Sequence, residues 1–142
     1  MTAKIDAFSG EYGFLSNFYP CRVRLDGIEY SSVEHAFQAA KSLIEKERAK
    51  IRIAPTPGRA KQLGKQVKLR EDWETVKIGI MEELLKQKFI NSPMKEWLLE
   101  TQDADLVEGN YWGDKFWGVC EGEGQNNLGK LLMKIRTEYS GL

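Results

Sequence analysis

Tyr30-Ser-Ser-Val-Glu-His-Ala-Phe-Gln-Ala-Ala-Lys41 stands where a β-hairpin gives way to a helix, and reading it decides the fold. Ahead of it, Cys21-Arg-Val-Arg-Leu25 alternates apolar and basic residues. Asp26-Gly27 then supplies a turn and Ile28-Glu-Tyr30 resumes the alternation, which predicts a hairpin. Ser31, three residues before Glu34, opens a capping box, and the helical pattern runs to about Ile44 and on through Glu45 to Ile53. At roughly 100° per residue, Val33, Phe37, Ala40 and Ile44 form an apolar stripe, with Glu34, Gln38 and Lys41 along its border. A carboxylate and an amine placed there become partly desolvated, which shifts their pKa values and readies them for proton transfer, cation stabilisation or nucleophilic attack.

Working outward, Pro55 and Pro57 interrupt the helical pattern, and Thr56 is placed to cap a short helix from Pro57 through Arg59, Ala60, Leu63 and Val67. A longer helix spans about Asp72 to Phe89, with Val76, Ile80, Leu84 and Leu85 on its apolar side. Asn91-Ser92-Pro93 ends it, and Met94 to Glu100 forms another short helix. Leu106-Val107-Glu108 and Phe116-Trp117-Gly118-Val119 read as short strands around an aromatic turn. A glycine-rich loop from Glu121 to Asn127 precedes a last helix from about Leu128 to Tyr139. Helices dominate, the sheet is small, and no regular βαβ alternation appears, so the expected class is α+β. Repeats, low-complexity segments and linkers are absent.

The length of 142 residues suits a single domain spanning residues 1–142. Lys plus Arg and Asp plus Glu number 21 each, so the summed field does not draw the chain to nucleic acid or anionic membrane in general. Cys21 and Cys120 lie far apart and His35 is the only histidine, which argues against a histidine triad or a zinc site. The N-terminus lacks an apolar signal-peptide core, and no apolar run is long enough for a bilayer. These features describe a soluble cytoplasmic protein with reduced thiols.

Three constellations carry chemistry, each with an ordinary structural reading beside it. Glu34 is either the closing residue of the capping box or a catalyst, with equal weight. Lys41 taken alone is a solvated helix residue with a buried stem, and its alignment with Glu34 and Gln38 argues for more. The two charges are roughly 10 Å apart along the axis, so they flank a ligand more readily than they pair. His35 points away from this border, and its commonest role is a hydrogen-bonded, partly buried residue. In the second constellation, Asp114 and Trp117 share a turn rich in acids and large aromatics. It suits stacking on a base and stabilising an oxocarbenium-like centre, or equally a hairpin organised by Asp114. The third, Gly122 to Gly129 with Gly124 and Asn126, resembles neither a Walker nor a Rossmann loop, yet its amides and the following helix suit a phosphate. Arg59 could pair with the same anion or be a surface arginine. Ser16, Asn17 and Phe18 offer polar and aromatic groups in an early loop that turn formation also explains.

Taken together, Phe14-Leu-Ser-Asn-Phe18, Ser32 through Lys41, Met81 with Lys88-Phe89, Asp114-Lys-Phe-Trp-Gly118 and Gly122-x-Gly-x-Asn-x-Leu-Gly129 resemble the NADAR family, also called the YbiA-like superfamily. The match runs in order along nearly the whole chain. The resemblance implies an α+β domain associated with NAD and ADP-ribose chemistry, whose members are N-glycosidases acting on riboflavin-pathway ribosylamino intermediates or on ADP-ribosylated guanine. It places Glu34 and Lys41 on the helix motif of the active site, Asp114 and Trp117 on the acid-aromatic motif, and Trp73 on a third site position. The Tyr111-Trp112-Gly113 stretch departs from the family pattern.

That chemistry requires neither metal nor cofactor. Breaking a C1′–N bond develops positive charge on ribose, which Glu34 or Asp114 can stabilise. A second route makes Lys41 a nucleophile that traps C1′ as a Schiff base, which needs neutral amine. Burial favours that form and a nearby Glu34 opposes it. The expected substrate contacts are Ser16, Asn17, Phe18, Gln38, Arg59, Trp73, Trp117, Gly124 and Asn126. The partners to expect are an ADP-ribose or ribose-phosphate small molecule, or ADP-ribosylated guanine in nucleic acid. A non-catalytic ADP-ribose or NAD reader is the alternative. A third reading is an antitoxin or regulatory partner of a DNA-modifying enzyme in a toxin-antitoxin setting.

Overall fold

Asp26 and Gly27 both take positive φ, 50° and 82°, so the two-residue turn has the left-handed conformation whose twist suits a tight hairpin. In the computed structural model, which describes residues 3–141, β1 is Lys4–Ile5, β2 is Pro20–Leu25 and β3 is Ile28–Ser32.

 β2 and β3 form the antiparallel hairpin, with Val23 opposite Tyr30, Leu25 opposite Ile28, and an irregular register between Pro20 and Val23. Val23 and Tyr30 are buried, as the alternation requires.

The chain packs as two compact units, Asn17–Lys88 and the described parts of Met1–Ser16 with Phe89–Leu142. In the first, β3 runs directly into α1, Val33–Ala40. The cap is one residue later than the sequence implies. Ser32, not Ser31, is the N-cap, and its Oγ accepts from the His35 amide at 3.0 Å. Every residue of α1 is buried, so its polar members lie inside the protein rather than on a solvent border.

The expected continuation to Ile53 is broken at residues 41–44. The Ser42 hydroxyl accepts from the Ile44 amide at 3.0 Å and donates to Glu47 Oε1 at 2.6 Å, replacing helical bonds by a local side-chain turn. The helix restarts as α2, Glu45–Arg52, with acids in its first turn and bases in its last, as the macrodipole favours. Thr56 caps α3, Pro57–Gly64, through the Arg59 amide at 3.1 Å, and the helix stops short of Val67. α4, Trp73–Phe89, buries Trp73, Met81, Leu84, Leu85, Lys88 and Phe89. Val76 and Ile80 lie only partly covered, so the buried face is rotated from the expected one. Gln87 on α4 donates to the Arg24 carbonyl and accepts from its amide, at 2.9 and 2.6 Å, occupying the β2 edge as a neighbouring strand would.

The second unit contains β1, a 3-10 helix at Gly10–Leu15, α5 at Met94–Glu100, β4 at Asp105–Leu106, β5 at Gly109–Asn110, β6 at Val119–Cys120 and α6 at Asn127–Tyr139. β1 pairs with β4 and β5 with β6, both in parallel. The expected strands at Leu106–Glu108 and Phe116–Val119 are therefore shorter and displaced, because loop bonds around Asp114 occupy the intervening backbone. Ile5, Leu15, Leu98, Leu106, Leu132 and Ile135 make up the core of this unit. The α+β class holds, and among the described residues no helix is long and apolar enough to cross a membrane.

Candidate functional site

With Ser32 as N-cap, His35 is the third helical residue and occupies the position that a capping-box Glu would fill. His35 Nε2 lies 3.0 Å from the Ala54 carbonyl, which can only accept, so Nε2 carries a proton, and Nδ1 lies 2.7 Å from Ser32 Oγ. His35 is thus a buried, hydrogen-bonded structural residue.

Glu34 is released from capping. Its amide donates to the Asn17 carbonyl at 3.0 Å, while its buried carboxyl accepts from Gln38 Nε2 at 2.6 Å, one turn along α1. Burial pushes the Glu34 pKa up, and the Gln38 hydrogen bond, Lys61, Lys41 and His35 oppose that push without cancelling it. Lys41, half-buried at the end of α1, moves the other way. Burial lowers its pKa, Glu34 raises it, and Lys61, Lys65 and Lys77 add to the lowering. The balance left open by the spacing therefore falls toward a more readily neutral amine.

Asn17 joins this group from the early loop. Its Nδ2 donates to Met81 Sδ at 3.6 Å, and its Oδ1 is buried with no protein partner among the described residues. Gln38 Oε1 shares that condition. Two orphaned buried acceptors beside a carboxyl and an amine are an arrangement that a ligand's donors would complete. The other expected residues of this unit are placed differently. Phe18 is largely exposed, Arg59 is on the surface bonded to Gln62 at 3.2 Å, and Trp73 is buried against Phe37 with ring centroids 5.0 Å apart.

Lys88 is a buried amine that the sequence places only within a motif. It lies 5.7 Å from the Tyr19 ring centroid, and burial drives its pKa down to about 8, with Cys21 acting in the opposite direction. The available signal is helical spacing, since Met81, Leu84, Leu85 and Lys88 fall on one face of α4.

In the second unit, Asp114 Oδ1 accepts from the Phe116 and Trp117 amides at 3.1 and 2.9 Å, and Asn110 bonds both the amide and the carbonyl of Asp114. The acid thereby shapes the aromatic turn. Trp117 is half-buried edge-on to Phe116, with centroids 4.9 Å apart. Ser16 sits at the end of the 3-10 helix, its amide donating to Gly13.

In the glycine-rich loop and at the start of α6, four successive backbone amides are already engaged within the protein. The amides of Gln125, Asn126, Asn127 and Leu128 donate to the carbonyls of Lys115, Gly118, Phe116 and Trp117. Gly124 passes so close to Gly118 that a Cβ on it would stand 2.2 Å from the Gly118 carbonyl oxygen. Asn126 spends both ends of its side chain on the Glu108 amide and the Leu106 carbonyl, each at 2.9 Å. The loop clamps the aromatic turn.

Comparison with known proteins adds an independent line. A family model described as the NADAR domain matches residues 6–140. The chain is 39% identical over 139 residues to the N-glycosidase YbiA of Escherichia coli, covering 93% of this chain and 84% of that protein. An N-glycosidase of Nostoc punctiforme is 40% identical over 138 residues, covering 92% and 88% respectively. A riboflavin biosynthesis protein of Vibrio vulnificus is 35% identical over 131 residues, and the chain spans only 35% of that protein's length. The NMR structure of E. coli YbiA matches with a TM-score of 0.85 at 37% identity, covering 99% of this chain and 87% of that one.

Proposed function

This chain belongs to the NADAR family, and from that premise we propose that it is an N-glycosidase cleaving the bond between ribose C1′ and a nitrogen. Its proposed substrates are an ADP-ribosylated base such as guanine, or a phosphoribosylamino compound of the riboflavin pathway. The observation that carries the reading is the opposed pair on α1. Burial pushes Glu34 toward its protonated form and Lys41 toward its neutral form, the directions that an acid and a nucleophile need.

In the proposed reaction, protonated Glu34 gives its proton to the departing nitrogen as the C1′–N bond breaks, and the bonding pair leaves with the base. Lys41 Nζ donates its lone pair to C1′. Opening of the sugar ring, with a proton taken up by the ring oxygen, leaves C1′ double-bonded to the lysine nitrogen. Water then adds to C1′, the C–N bond to Lys41 breaks, and ribose departs with its new oxygen. Asn17 accepts from a hydroxyl or amine donor of the substrate, and Gln38 holds the Glu34 carboxyl in place. Phe18, Arg59 and Trp73 of the same unit are proposed as further substrate contacts.

Borohydride added during turnover of an ADP-ribosylated base or of a phosphoribosylamino compound tests this reading. A ribosyl adduct on Lys41, absent in Lys41→Met, is the expected result. Turnover without an adduct removes the covalent route. Tight binding of ADP-ribose with no turnover of either substrate class, in wild type and Glu34→Gln alike, would instead make the protein a reader.

A further inference from the structure

We infer that Gly64, the last residue of α3, is a positioning residue for Glu34 that acts through the Gln38 amide. The inference rests on the role proposed for Glu34. Gly64 is buried, and its backbone does not ask for glycine. A helix-ending glycine ordinarily sits one residue beyond the cap in the left-handed region. Gly64 is still helical, is not among the positive-φ residues, and is followed by Lys65 at φ −74° and ψ −14°. Helix propensity favours nearly any other residue there.

What excludes a side chain is Gln38. A Cβ on Gly64 would stand 1.9 Å from Gln38 Oε1, 2.8 Å from its Cδ and 3.1 Å from its Cβ. The amide rests on the bare backbone of α3, and that seat holds it where one of its ends reaches Glu34. With Oε1 against Gly64, Nε2 points at Glu34 Oε2 and donates to it at 2.6 Å. The reverse orientation would set two acceptors against each other whenever Glu34 is ionised. A methyl at position 64 displaces the amide and deprives the buried carboxylate of its donor, the strongest of the interactions that offset burial. Gly64 therefore helps set when Glu34 holds its proton, and it does so through the Gln38 amide.

Carbon-13 NMR of carboxyl-labelled glutamate in the full chain reads this directly, with the Glu34 signal identified by its absence in Glu34→Gln. Gly64→Ala is expected to move the midpoint of the Glu34 titration to higher pH by about one pH unit, a tenfold change in its acid dissociation constant and the worth of one charge-assisted hydrogen bond. Gln38→Ala should do the same, and Gly64→Ala should add nothing in the Gln38→Ala background. An unmoved titration in folded Gly64→Ala, or an equal shift with and without the Gln38 amide, overturns the inference. Should Gly64→Ala fail to fold, the double variant decides: recovery supports the contact with the amide, and continued failure refutes it. Because the carboxyl itself is observed, a wild-type protein that hydrolyses no N-ribosyl substrate would defeat the proposed function and leave this inference standing.

Discussion

Replacing Lys88 by Met isolates the cost of holding an amine inside the first unit. Burial lowers the Lys88 pKa from its ordinary 10.5 to about 8. Each pH unit of such a difference corresponds to about 1.4 kcal/mol, so a charged Lys88 costs the folded state about 3 kcal/mol near neutral pH. The Tyr19 ring, 5.7 Å from the amine, returns about 1 kcal/mol of that. Met fills a similar volume without the charge, and the variant should be more stable than wild type by about 2 kcal/mol at neutral pH.

The sign of the pH dependence follows from proton counting. Between about pH 8 and 10.5 the folded chain has released a proton that the unfolded chain still holds, so the wild type gains stability as pH rises through this window. Lys88→Met has no such gain. Urea unfolding of both proteins across the window, in a Cys21→Ala background that removes the thiol acting on Lys88, should show the advantage of Lys88→Met shrinking toward high pH. A difference between the two proteins that stays constant with pH would refute the reasoning.

Glu34→Gln should stabilise the fold at neutral pH while abolishing turnover, because burial raises the Glu34 pKa and the folded state resists the ionised form. The gain should vanish as pH falls below the ordinary carboxyl value of 4.5, where both states are protonated; a gain that persists there counts against it. Ser32→Ala removes the cap of α1 and should cost about 1 to 2 kcal/mol in a chemical melt, whereas Ser31→Ala should change stability by less than about 0.5 kcal/mol. The opposite order would restore the capping box at Ser31. Asn126→Ala strips partners from the Glu108 amide and the Leu106 carbonyl and should cost about 2 to 3 kcal/mol. A loss well under about 1 kcal/mol by the same melt would mean that water replaces both bonds.

Local order was legible wherever a pattern and a special residue coincided. The hairpin follows from alternation around Asp26-Gly27, α3 from Thr56 and Pro57, and α4 and α6 from helical periodicity. The family resemblance rested on several motifs in order, and the family match over residues 6–140 agrees with it. The break after Lys41 was hidden because the competing bonds come from a single serine hydroxyl inside a helical pattern. β1, β4, β5 and β6 are two residues each, too short to carry a period, and their partners lie elsewhere in the chain.

The sequence by itself determined that Glu34, Gln38 and Lys41 share one side of a helix, since a period of 3.6 residues is a property of the backbone. Only the tertiary structure decided what they are. Moving the cap from Ser31 to Ser32 freed Glu34 from a structural role, and burying α1 on every side turned a border into an interior. The direction of each pKa shift and the seat that Gly64 gives Gln38 depend on atoms brought in from α3, α4 and the early loop. Desolvation and close contact are sums over neighbours distant in the chain, which no local period encodes.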